Sequence, residues 1–180
     1  MRSVPAYIKF LFLFLSIYAL LYYGTYAFIG LSTEGGRYIA WLKYVDYVSV
    51  YRRTLLGSAS QVVEWLGYYT QTRGKYLLYI NGTVGIQLVY WCLGIGILSF
   101  WVSYVFAYTG DTLRFRLKWI LIGIVIITCL NITRIVLLLL TYYHKGLKSG
   151  SINHHDLYNY VLYGIVFLML IVHRKMQSKH

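Results

Sequence analysis

The segment Leu117–Thr141, LKWILIGIVIITCLNITRIVLLLLT, is long enough to cross a bilayer as a helix, yet Arg134 stands in its interior. A guanidinium at that depth costs from about 2.5 to more than about 10 kcal/mol, depending on the reference state. Such a residue needs polar company or a chemical task. Asn131, one helical turn earlier, is the nearest polar neighbour on the same segment. The rest of the company must come from other segments, and the chain offers a cysteine and a histidine pair.

Composition fixes the class. Of the 180 residues, 59% are hydrophobic and 12% charged, against about 25% charged in soluble domains. The chain therefore reads as an integral membrane protein with a single domain over residues 1–180. Its net charge of +12 does not imply a nucleic-acid partner. The basic residues flank apolar stretches instead of forming one patch, and anionic lipid headgroups account for them. Cys92 and Cys129 fall in different apolar stretches and make no disulfide framework.

The predicted fold class is an all-α membrane protein of about four transmembrane helices, with an outer amphipathic helix and a small β-hairpin. The spans are Ala6–Tyr23, Val89–Tyr108, Leu117–Thr141 and Leu157–Val172. The first could be a signal peptide with Thr25-Tyr26-Ala27 as a poor cleavage site, but its long apolar core and Tyr-rich end fit a retained anchor better. Arg2 and Lys9, the Arg114-Arg116-Lys118 loop and the Arg174-Lys175-Lys179 tail fall on one side, the cytoplasmic one. The segment from Ser32 to Leu88 and the loop from Tyr142 to Asp156 are then outside. The outer segment carries basic residues too, which long loops tolerate. Within it, Trp41, Val45, Val48 and Leu55 recur at helical spacing, with Lys43, Asp46 and Arg53 between them, and predict a helix on the membrane surface. Ser58 to Gln61 reads as a capping box opening a second short helix through Trp65. Asn81-Gly82, between the apolar runs of KYLLYINGTVGIQL, signals a two-residue hairpin turn.

This topology turns positions into depths. Cys92 falls about 5 Å below the outer end of its span and Arg134 roughly 10 Å below the outer end of the next. His154 and His155 precede the last span on the same side. A thiolate is a nucleophile, and a neighbouring imidazole or guanidinium favours it. A histidine can take the thiol proton and return it to a leaving amine. An arginine can hydrogen-bond a developing oxyanion but cannot act as a base. Together they suit acyl transfer through a thioester, with Asn131 orienting Arg134 or the substrate and no cofactor required.

Blander readings stand beside each residue. A membrane cysteine is usually a small packing residue, as Cys129 is read here. His154 and His155 could be interface residues, Asn131 interhelical glue, and Gly94 and Gly96 packing positions. His144, His173 and His180 have no visible partner. Asn81-Gly82-Thr83 matches a glycosylation acceptor, but the turn suffices to explain it. His144, His154, His155 and Asp156 lack metal-ligand spacing, so no metal is expected.

Three blocks, Cys92-Leu93-Gly94-Ile95, Asn131-Ile132-Thr133-Arg134-Ile135 and Asn153-His154-His155-Asp156-Leu157-Tyr158-Asn159, resemble the signature blocks of the exosortase/archaeosortase family in their expected order. The resemblance covers the chain from Leu88 onward. It implies a multi-pass membrane cysteine transpeptidase with its active site on the extracytoplasmic side of the cell membrane. The implied substrates are exported proteins ending in a short motif, a transmembrane helix and a basic tail. The implied acceptor is a lipid or part of the surface polysaccharide machinery. By position Cys92 matches the nucleophile, Arg134 the motif arginine and His154 the histidine, with His155 its close rival. The chain departs from longer members in its small number of spans and in having Trp91 and Leu93 around the cysteine. The alternative from another class is a non-enzymatic assembly subunit whose Arg134 pairs with an acidic residue of a partner helix. A hydrolytic intramembrane protease would use the same residues.

Overall fold

A computed structural model describes residues 5–32, 40–74, 76–80, 85–108, 110, 112–145 and 154–177, without the side chains of residues 40, 41, 43, 145 and 154–157. The chain is mainly helical. In order come α1 (Ala6–Ser32), a short 3-10 helix (Ala40–Val45), α2 (Tyr47–Trp65), β1 (Thr70–Arg73), β2 (Leu77–Ile80), β3 (Ile86–Gln87), a 3-10 turn (Tyr90–Leu93), α3 (Ile95–Ala107), α4 (Leu113–Lys145) and α5 (His154–Gln177). Among the described residues, α1 and α4 are the helices long and apolar enough to cross a membrane.

Each expected span overlaps a helix, but of these helices only those of the first and third are long and apolar enough to cross a membrane among the described residues, so the count of four is not borne out. The first extends from Tyr23 to Ser32, giving α1 27 residues. The third sits inside the 33-residue α4. The fourth sits inside α5, whose 24 residues end with Arg174 and Lys175 in the last turn, where cations complement the exposed carbonyls. The second expected span is corrected. Val89–Tyr108 is not one helix: α3 covers 13 residues, about 20 Å of rise, well short of the apolar thickness of a bilayer. Gly94 is the reason. Its φ of +71° is left-handed and ends the 3-10 turn before α3 begins.

The outer segment also differs from its expectation. The predicted surface helix through Trp41 and Leu55 becomes the 3-10 helix followed by α2, with Asp46 between them, a residue type favoured before a helix start. Ser58–Gln61 opens no second helix, because α2 runs through it to Trp65. Ser60 instead reaches forward, its hydroxyl 2.6 Å from that of Thr70, which donates to Glu64 at 2.7 Å. These bonds tie the end of α2 to β1. The helix stops in a Schellman arrangement: Gly67 is left-handed, its N–H donates to Glu64 O, and the Tyr68 N–H donates to Val63 O.

In place of the expected two-strand hairpin, the described strands form a three-stranded antiparallel sheet in the order β1-β2-β3. Thr70 faces Ile80 across the first ladder, and Leu77 faces Gln87 across the second. The Asn81-Gly82 turn lies outside the described residues. Gly85 has no room for a side chain, since a Cβ would come 2.9 Å from Leu78 O.

The chain forms two compact units, with α4 and α5 contributing to both. In the first, α1 packs on α3 through an aromatic ladder. Phe14 meets Phe100 edge-on, and Phe10 meets Tyr104 and Tyr108. The buried Trp101 indole donates to the Trp119 carbonyl at 3.0 Å and packs flat against Gly123. His173, given no partner by the sequence, is fully buried among Trp101, Tyr104, Tyr108, Phe115 and Trp119, with ring centroids 5.2–6.2 Å away. In the second unit, α2 buries Val48, Leu55, Leu56, Ala59 and Val63 as one stripe. Leu78, Ile80 and Leu88 are buried there as well. Tyr51 of α2 shares a hydrogen bond with Thr128 of α4 at 3.3 Å.

Candidate functional site

The site lies wholly within the second unit. Its floor is the part of α4 in which Ile127, Asn131, Ile135 and Leu139 are buried at four-residue spacing. Asn131 occupies a core position of this row, and Arg134 stands beside it, 7% exposed. A polar pair on an apolar row survives burial only if its groups find partners.

Arg134 finds two. Its Nη2 donates to the backbone carbonyl of Cys92 at 2.8 Å, and its Nη1 donates to Asn159 Oδ1 at 3.3 Å. Asn131 Nδ2 donates to the carbonyl of Leu93 at 3.4 Å. The 3-10 turn carrying Cys92 is therefore pinned at two successive carbonyls by two side chains of one helix. Within the turn, the Cys92 N–H donates to Val89 O at 2.9 Å. Gly94 permits this closeness, because any Cβ there would occupy the place of the Asn131 amide.

Some capacity is left over. Asn131 Oδ1 and Arg134 Nε are both buried and have no hydrogen-bond partner among the described residues. This leaves a buried acceptor and a buried cationic donor beside the cysteine turn, spare capacity that suits a ligand's donor and acceptor. Cys92 is half-buried, whereas Cys129 is exposed on α4. Trp91, next to Cys92, is 79% exposed.

The structure thus brings together Cys92, Asn131 and Arg134 from the expected residues. His154 and His155 form the first turn of α5 by backbone, and their side chains lie outside what is described. Cys92 belongs to the 3-10 turn and not to a membrane-spanning helix, so its expected depth along a continuous span no longer applies. His144, expected to stand alone, has its Nε2 3.1 Å from the Tyr68 hydroxyl.

Sequence reasoning missed two residues here. Asn159 belongs to the third block, where the sequence assigns it no role, and it holds Arg134. Arg52 is one of the basic residues of the outer segment. It is 5% exposed, and its guanidinium carbon lies 3.4 Å from the Tyr76 ring centroid and 4.8 Å from that of Tyr90. The signal was present: Arg52 sits four residues after Val48 and three before Leu55, on the apolar stripe of α2.

The family model described as transmembrane exosortase (Exosortase_EpsH) matches residues 47–172, well over half of the chain. The match takes in α2, the sheet, the cysteine turn and the parts of α4 and α5 that carry Arg134 and Asn159. No curated protein and no solved structure matches the chain.

Proposed function

The chain belongs to the transmembrane exosortase family and is a membrane protein, and from that premise we propose that it is a cysteine transpeptidase of C-terminal sorting signals. Its substrates are exported proteins that end in a transmembrane helix and a basic tail, and its acceptor is a lipid or polysaccharide component of the cell surface. It works as a multi-pass protein of the plasma membrane with the site facing outward, the orientation that its basic loops favour.

One observation carries this reading. Arg134, 42 residues from Cys92 and 25 from Asn159, hydrogen-bonds to both. All three sequence blocks of the family resemblance are thereby linked at one guanidinium. The reaction then runs in two balanced halves. Cys92 Sγ attacks the scissile carbonyl as a histidine takes the thiol proton, and the carbonyl oxygen becomes an oxyanion held by remaining Arg134 donors. The C–N bond breaks, the histidine returns the proton to the leaving amine, and a thioester remains. A hydroxyl or amine of the acceptor attacks the thioester, loses its proton to the histidine, and releases the thiol.

His154 and His155 are the two candidate bases. Helical residues four apart share a face, and His155 is four residues from Asn159 whereas His154 is five. This spacing favours His155, and block position favours His154. The subunit alternative loses ground because Arg134 spends two of its donors on partners within its own chain, one of them on the turn that carries Cys92.

The test is co-expression with a protein that ends in a transmembrane helix and basic tail, followed by mass measurement of its C-terminus. Wild type removes the tail and Cys92→Ser does not; Cys129→Ser behaves as wild type. Processing by Cys92→Ser at the wild-type rate would overturn the mechanism. Added mass on the new terminus identifies transfer, and its absence identifies hydrolysis.

A further inference from the structure

We infer that Arg52 is a positioning residue for Cys92, acting through the ring of Tyr90; this rests on the reading of Cys92 as the nucleophile. The starting point is an anomaly in α2. The buried stripe Val48, Arg52, Leu55, Leu56, Ala59 and Val63 is apolar at every place but one. An aliphatic residue at position 52 would bury more cheaply than a guanidinium.

The surroundings explain the exception. The guanidinium carbon lies 3.4 Å from the Tyr76 ring centroid and 4.8 Å from that of Tyr90. Two aromatic faces hold a cation through their quadrupoles, and the attraction grows when the cation is desolvated, as Arg52 is at 5% exposure. Tyr76 is itself anchored. Its hydroxyl lies 3.1 Å from that of Ser49, one turn before Arg52 on α2, and its carbonyl accepts the Leu88 N–H at 3.0 Å. Tyr90 is the first residue of the 3-10 turn that carries Cys92. Arg52 therefore connects a fixed ring to a ring on the cysteine turn.

The turn is then gripped from two directions. Arg134 and Asn131 hold its C-terminal carbonyls, and Arg52 holds its N-terminal side chain. The Arg52–Tyr90 contact adds a hold at the start of the turn to the two carbonyl bonds at its end. Small displacements of a nucleophile have large effects on rate.

The experiment uses the full chain in membranes with Cys129→Ser throughout, so that N-ethylmaleimide labelling reports Cys92 alone. Processing of the tailed substrate is followed in parallel. Arg52→Met should shift the Cys92 labelling rate by about tenfold and lower processing by a similar factor, the scale of a desolvated cation–π contact. Tyr90→Leu should do the same, and the double variant should be no worse than either single one. Arg52→Lys keeps the cation and Tyr90→Phe keeps the ring face, so both should stay within about threefold of wild type.

Labelling and processing of Arg52→Met at wild-type rates would overturn the inference. So would Arg52→Lys as impaired as Arg52→Met, or a double variant showing the product of the single losses. If Arg52→Met does not accumulate, the Tyr90→Leu and Tyr90→Phe pair decides by the same criterion. Cys92→Ser separates the two levels. Its inactivity beside an unimpaired Arg52→Met sinks only the role of Arg52, whereas wild-type processing by Cys92→Ser sinks the nucleophile and the inference together.

Discussion

Gly94→Ala gives the sharpest test of how the cysteine turn is built. Gly94 has φ +71°, and a Cβ there would fall on the Asn131 amide. Left-handed backbone costs an ordinary L-residue about 1–2 kcal/mol. Asn131 must also move, which sacrifices its 3.4 Å bond to the Leu93 carbonyl, a loss of about 1 kcal/mol. The sum, about 2–3 kcal/mol, corresponds to roughly 30- to 150-fold less of the correctly set turn. The assay is the processing rate of the tailed substrate in membranes, normalised to the amount of folded protein. Asn131→Ala in the same chain removes the collision together with the Leu93 bond that the collision sacrifices, so the double variant should be no worse than Gly94→Ala alone. Gly57 is the internal control: it lies on the exposed side of α2 with nothing near its would-be Cβ, so Gly57→Ala should leave processing unchanged. Processing by Gly94→Ala within threefold of wild type would refute the reasoning, because neither the strain nor the collision would then matter to the site.

Arg134→Lys should lower processing by about 100-fold, since an ammonium cannot reproduce the two-pronged grip on Cys92 and Asn159; wild-type rates would mean that a point charge suffices. Gly123→Ala drives a methyl group into the Trp101 indole and should destabilise the first unit by about 1–3 kcal/mol, read as a lower unfolding midpoint in detergent. Tyr68→Phe removes an exposed bond to His144 and should change stability by about 0.5 kcal/mol or less, with processing within twofold of wild type.

The apolar helices and the residues that converge were legible because burial of an arginine demands an explanation that composition alone can raise. Arg134 and Asn131 stand out in α4 for that reason, and Cys92 followed from chemistry. The turn around Cys92 was not legible. Val89–Tyr108 is apolar throughout, and hydropathy does not register that one glycine at position 94 interrupts it. Ser58–Gln61 misled because a serine that bonds to a distant threonine looks the same, in sequence, as one that caps a helix. Thr70–Arg73 is short and polar, and its strand identity comes from pairing with Leu77–Ile80 instead of its own pattern. Arg52 was passed over because a basic residue in an outer segment invites a surface reading, although its place on the α2 stripe argued for burial.

The guanidinium of Arg134 rests on two neutral oxygens, a peptide carbonyl and a carboxamide. Neither cancels its charge, so the site keeps a standing positive potential in a poorly screened setting. In the proposed reaction, the two outcomes of thioester breakdown would feel this field differently. Attack by water leaves a carboxylate on the new C-terminus, which the field retains; attack by an acceptor hydroxyl or amine leaves an uncharged ester or amide, which it lets go. If the proposed reaction holds, this charge should favour departure of a transferred product over a hydrolysed one, and product inhibition by short C-terminal carboxylates, absent for the corresponding amides, is the expected trace.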